Sequence, residues 1–133
     1  MAKKNVLTQS KKKKGLALMQ SHRLEEAKAL LSQVSRQDPA DAEVWFLLGG
    51  LNGRLALPGE AVECLRKAIR LWPQHAPSYF NLGIALRDQR DYAGAVAAFR
   101  EVLRIQPNYP EGHDCLAHGL LMLGQLDAAA AAF

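Results

Sequence analysis

Four residues within six could bind a metal. The stretch HDCLAH holds His113, Asp114, Cys115 and His118. On a helix, Asp114 and His118 at i, i+4 share a face, as do Cys115 and His118 at i, i+3, and two zinc ligands would be placed this way. His113, however, lies about 140° round from His118 at 3.6 residues per turn. No further ligand is evident. The four are read as ordinary helix-face residues, and no metal or other cofactor is expected. A second candidate is SKKKKGL, Ser10 to Leu16, a cation run that could meet nucleic acid or an anionic membrane. No aromatic is interleaved to stack a base, so a solvated start to a helix is the preferred reading. Glu25 with Glu26, and Asp88 with Asp91, read as exposed helix and turn acids. There is no phosphate loop, no GxSxG and no HExxH. These residues do not make an enzyme.

The elements that carry these residues are helical by composition. The 133 residues are 49% hydrophobic and 23% charged, which is not a disordered balance. Alanine and leucine dominate, while β-branched and aromatic residues are sparse, favouring helix over sheet. The net charge of +4 is uneven. Residues 1–14 hold six lysines and no acid, whereas 15–133 hold 11 basic and 13 acidic side chains, net −2. No apolar run approaches the roughly 20 residues that span a bilayer, and Gly15–Met19 is too short for the core of a signal peptide. A cytoplasmic chain is expected. Cys64 and Cys115 show no CxxC pairing and read as small buried apolar residues.

The chain repeats. Pro39, Pro73 and Pro107 are spaced 34 apart, and so are Gly15, Gly49 and Gly83, and Ala27, Ala61, Ala95 and Ala129. Ungapped, 42–75 and 76–109 share nine identities in 34, with Trp45 matched to Tyr79 and Leu65 to Phe99. The registers are 8–41, 42–75, 76–109 and a truncated 110–133, after a basic leader at 1–7. Each copy reads as two helices. Tyr79, Leu82, Gly83 and Leu86 form a stripe of period 3.6, RDQRD breaks it, Ala95, Phe99, Val102 and Leu103 form a second, and Pro107 closes the copy. In the copy before, Pro58 suits the first turn of a second helix. Glycine inside a helix costs about 1 kcal/mol against alanine. Gly49 and Gly83 therefore predict close approach by a neighbouring helix, with small Ala61 and Ala95 expected to face them.

Trp45, Leu48, Gly49, Ala61, Leu65, Ala68 and Pro73, repeated as Tyr79, Leu82, Gly83, Ala95, Phe99 and Pro107, resemble the tetratricopeptide repeat over 8–133. Several positions depart from that pattern. Lys11 and Lys14 replace a large apolar residue and a leucine, so the first helix is expected to start late or fray. Asn52 stands for an aromatic, Val102 for alanine, and His113 and Ala117 for an aromatic and a glycine. The resemblance implies an all-α, right-handed superhelical array of antiparallel helix pairs, whose first helices line a concave groove. Ligand contacts would then come from Phe46, Leu47, Gly50, Gly53 and Arg54 in the second copy. The third would supply Phe80, Asn81, Ile84, Arg87 and Asp88. The fourth would supply Asp114, Cys115, His118, Leu121 and Met122. Asn81 matches an asparagine that holds a peptide main chain in some arrays of the family, such as that of O-GlcNAc transferase. Leu47 and Cys115 hold the equivalent places, so no asparagine ladder forms, and a carboxylate clamp is incomplete.

The expected function is a non-catalytic scaffold binding a protein or peptide. The alternative is an acceptor-recruiting arm of a longer glycosyltransferase or sulfotransferase, whose bacterial arrays FNLGIAL and FREVLRIQP resemble. Nucleic-acid contact through the lysine run is the weaker alternative. GQLDAAAAAF reads as the start of a second helix that would leave Leu116, Leu120, Leu121, Leu123 and Phe133 poorly covered. A fragment of a longer protein is expected from this, with self-association through that end or a frayed terminus as the other outcomes.

Overall fold

In the computed structural model, which describes residues 2–131 and the side chains of 6–127, the paired apolar stripes fold as helical hairpins. The helices are α1 (Ala2–Gln20), α2 (Leu24–Gln37), α3 (Ala42–Arg54), α4 (Pro58–Leu71), α5 (Ala76–Asp88), α6 (Tyr92–Ile105) and α7 (Gly112–Ala131). No strand occurs among the described residues. The array is all-α, as the composition and period require. It divides into two compact units, Met1–Pro73 and Gln74–Phe133.

In the first unit α1 packs on α2, α2 on α3 and α3 on α4. Its core joins Ala27, Leu31 and Val34 of α2 to Val44, Leu48 and Leu51 of α3, with Leu18, Met19, Trp45 and Leu47 against the edge. In the second unit α6 packs on both α5 and α7. Leu82 and Leu86 of α5 and Ala95, Phe99 and Val102 of α6 are buried there. The repeated glycines make the hairpins close. A Cβ placed on Gly15, Gly49 or Gly83 would stand 2.7, 2.5 or 2.6 Å from the side chain of Leu31, Leu65 or Phe99. The expected partners of Gly49 and Gly83, Ala61 and Ala95, are buried, but the large side chains four residues further on fill the space that each glycine leaves.

The turns between paired helices share one geometry. His22, Ala56 and Arg90, spaced by 34, all take positive φ (61°, 59° and 65°). Each helix ends in the same pair of bonds. Arg23, Leu57 and Asp91 N–H donate to the carbonyls of Leu18, Asn52 and Leu86, and His22, Ala56 and Arg90 N–H donate to those of Met19, Gly53 and Arg87. This is the Schellman closure, built without the glycine that usually supplies its left-handed residue. Asp91 then caps α6 by accepting from Gly94 N–H at 2.9 Å.

Two elements differ from expectation. The first helix does not start late: α1 runs from Ala2. Lysines are good helix formers, and Lys12, between the departing positions Lys11 and Lys14, ties α1 down with a charge. Its ammonium sits 3.0 Å from Asp41 and 3.0 Å from Glu43, with both Lys12 and Asp41 largely buried. Burial acts to lower the Lys12 pKa, but the two carboxylates outweigh it and raise it above the ordinary value. At the other end, the expected break before a second helix is absent, and α7 continues through Gly124. Gly124 holds the register of Arg90, yet no glycine takes positive φ among the described residues. Alanines follow it and propagate a helix. The residue in register with Leu31, Leu65 and Phe99 is Phe133, outside the described residues. Leu120, Leu121 and Leu126 are exposed, whereas Leu116 and Leu123 are half-buried.

Candidate peptide-binding face

In the second unit the face begins with an aromatic platform. Phe80, in the first turns of α5, lies with its ring centroid 5.8 Å from Phe99 at 57° and 5.0 Å from Tyr109 at 38°. Offset and tilted rings at such distances are favourable. Phe80 is thus held by α6 and by the segment that leads into α7, and it remains half-buried rather than free. Ile84 and Arg87 follow at i+4 and i+7 on the same side of α5 and are also half-buried. The Arg87 charge acts on the Cys115 thiol, so these two predicted residues come near one another across α5 and α7. Burial pushes the Cys115 thiol above its ordinary pKa, and the nearby Arg87 charge opposes that. Asn81 and Asp88 flank the row; Asn81 is half-buried and Asp88 exposed. Among the described residues the Asn81 amide has no hydrogen-bond partner. On α7, Asp114 and His118 are exposed. His113 turns elsewhere and donates from Nε2 to the Pro107 carbonyl at 3.0 Å. Among the described residues no group of three or more His, Cys, Asp or Glu is placed to hold a metal ion.

In the first unit the predicted residues are more dispersed. Phe46 and Gly50 are half-buried and Gly53 is exposed. Leu47 packs against the core, which leaves less of it to a ligand. Arg54 reaches α1's end, its Nη2 donating to His22 Nδ1 at 3.0 Å. The lysine run does not form one basic face. Four successive residues at 100° each are fanned around a helix, and Lys12 is already neutralised by Asp41 and Glu43. No described helix is long and apolar enough to cross a membrane.

Sequence reasoning missed Tyr109 as part of the platform. It follows the repeat's proline by two residues, and no periodicity marks it. Its neighbour is fixed by tertiary packing alone.

The model described as Tetratricopeptide repeat matches residues 12–57 and 53–110. The chain belongs to the tetratricopeptide repeat family. Protein FlbA of Caulobacter vibrioides is 35% identical over 72 residues, covering 54% of this chain. The chain spans little more than a tenth of the length of the curated relatives it matches, 12% and 11%. Among solved structures, the first tetratricopeptide domain of Spaghetti (RPAP3), bound to an HSP90 peptide, superposes with a TM-score of 0.85 at 20% identity, covering 88% of this chain and 93% of that one. The O-GlcNAc transferase of Thermobaculum terrenum gives 0.79 at 23% identity, covering 88% of this chain and 22% of that one. In this tetratricopeptide frame α3, α5 and α7 are first helices, so Phe80, Ile84, Arg87 and Cys115 stand on first helices of neighbouring repeats.

Proposed function

We propose that this chain is a non-catalytic scaffold that binds a peptide or protein segment on its first-helix face, with α5 and α7 of the second unit as the main contact surface. The observation that carries this reading is the half-buried, unpartnered amide of Asn81 beside the Phe80–Tyr109 platform and Arg87. An amide both donates and accepts, which suits a peptide main chain. The aromatic platform offers an apolar floor, and Arg87 and Asp88 offer charge at the edge. Support comes from the solved first domain of RPAP3, which holds an HSP90 peptide on the same fold. In the first unit, Phe46 and Arg54 would extend the same use of first helices.

The test is to pan a displayed peptide library on the chain and measure a selected peptide by calorimetry. Asn81→Ala and Arg87→Ala are each expected to weaken binding about tenfold, the effect of losing one good hydrogen bond or charge-assisted contact. Circular dichroism should stay as in the parent. Unchanged affinity in both variants would sink the first-helix reading.

A further inference from the structure

The hairpin of α3 and α4 carries a second surface, lined by none of the first-helix candidates. A cavity of about 380 Å³ opens between Pro39, Trp45, Lys67, Arg70 and Leu71. Its floor is fixed. The Trp45 indole N–H donates to the Pro39 carbonyl at 2.8 Å, and the Lys67 ammonium sits 4.4 Å from the Trp45 ring centroid. Lys67, Arg70 and Leu71 stand at i, i+3 and i+4 on α4, so they share one face. Leu71 is 44% exposed. The lining therefore combines an apolar floor with two cations and no acid. Among the described residues Arg70 has no ion-pair partner.

The repeat supplies its own comparison. In register with Lys67 and Arg70, the next copy has Glu101 and Arg104. There Arg104 Nε donates to Glu101 Oε2 at 2.8 Å, so that copy neutralises its own charge. The copy before has Lys11 for Trp45, Gln33 for Lys67 and Gln37 for Leu71, and so lacks the apolar floor. Of these three copies, 42–75 alone joins an exposed apolar floor to uncompensated positive charge.

We infer that this cavity docks an acidic peptide segment bearing one aliphatic or aromatic side chain. The side chain would lie on Trp45 and Leu71, and its flanking carboxylates would meet Lys67 and Arg70, whose guanidinium matches a carboxylate with two parallel bonds. The size agrees, since the cavity stands near the small end of the roughly 300–1,000 Å³ range of ligand sites. Nucleic acid fits less well. A single aromatic offers one stacking platform where strand binding uses several, and two cations neutralise little of a phosphate backbone.

The experiment uses the full chain and a fluorescein-labelled peptide with one phenylalanine flanked on each side by two glutamates, read by polarisation. Versions with lysine for glutamate and with alanine for phenylalanine are the controls. The acidic phenylalanine peptide is expected to bind, and both controls to bind at least about tenfold more weakly. In a nitrogen–proton correlation spectrum the Trp45 indole resonance should move on titration. Lys67→Glu rebuilds the arrangement found at 101 and 104 and is expected to weaken binding about tenfold or more, with helical content unchanged. Arg70→Gln should act in the same direction. Arg104→Gln, which removes a cation already paired with Glu101 in the next copy, should change nothing. No binding, or binding indifferent to Lys67→Glu, overturns the inference. Loss in Arg87→Ala with none in Lys67→Glu would also overturn it, and would instead place the peptide on the first-helix face. A labelled single-stranded oligonucleotide that binds more tightly than the peptide and is released by Lys67→Glu would overturn it in favour of nucleic acid.

Discussion

Asn52 shows how one side chain can sit badly in a well-packed hairpin. It is 2% exposed, at a place where the family usually has an aromatic ring. Its Nδ2 donates to Cys64 Sγ at 3.7 Å, and its Oδ1 has no partner among the described residues. A buried acceptor left without a donor costs about 1–3 kcal/mol. The same burial pushes the Cys64 thiol above its ordinary pKa, against the pull of Lys67 and of the Asn52 bond. Asn52→Leu keeps the volume and removes the stranded oxygen. It is expected to raise the unfolding free energy by about 1 kcal/mol, seen as a higher urea midpoint at unchanged slope. A lower midpoint would show that the amide is satisfied in solution.

At the scale of the helix, two glycines with the same propensity should answer substitution with opposite signs. A Cβ on Gly83 would come within 2.6, 2.8 and 2.9 Å of three Phe99 ring atoms, and Phe99 is fully buried and cannot swing away. Alanine gains about 1 kcal/mol of helix propensity, but overpacking a filled site costs about 1–3 kcal/mol. Gly83→Ala should therefore lower stability by about 1 kcal/mol. Gly53, on the exposed side of α3, has nothing within 4 Å of its would-be Cβ. Gly53→Ala should stabilise by up to about 1 kcal/mol. Thermal melts of the two variants check this, and a melting point raised equally by both would remove close approach as the reason for glycine at 83.

For the whole molecule, the charge of +4 is a poor guide to its partners, because six lysines of the first 14 residues outweigh a body of net −2. The run at 11–14 is fanned around α1, and Lys12 is committed to Asp41 and Glu43. Counterion release scales with the number of phosphates neutralised together. The chain is accordingly expected to leave a short DNA duplex unshifted in a gel at about 0.15 M salt. A shift that persists there and disappears when the four lysines are changed would show that the run does act as one patch.

The sequence by itself determined the helical hairpins and their family, because a period of 34 carried by prolines, glycines and alanines records the same local packing in each copy. It also placed Phe80, Asn81, Ile84 and Arg87 on one helix, since side-chain direction follows from 3.6 residues per turn. The charge contrast between Lys67–Arg70 and Glu101–Arg104 was readable from the same register. Its meaning was not, because a cation's worth depends on whether a partner lies within reach. Tertiary structure decided the rest. It set α1 running from Ala2 through an ion pair between residues 29 apart in sequence, carried α7 past Gly124, and gave the left-handed turns to His22, Ala56 and Arg90 instead of glycine. It also brought Tyr109 against Phe80 and Cys115 near Arg87. Periodicity fixes which way a side chain points, but what it meets depends on the packing of elements distant in the chain.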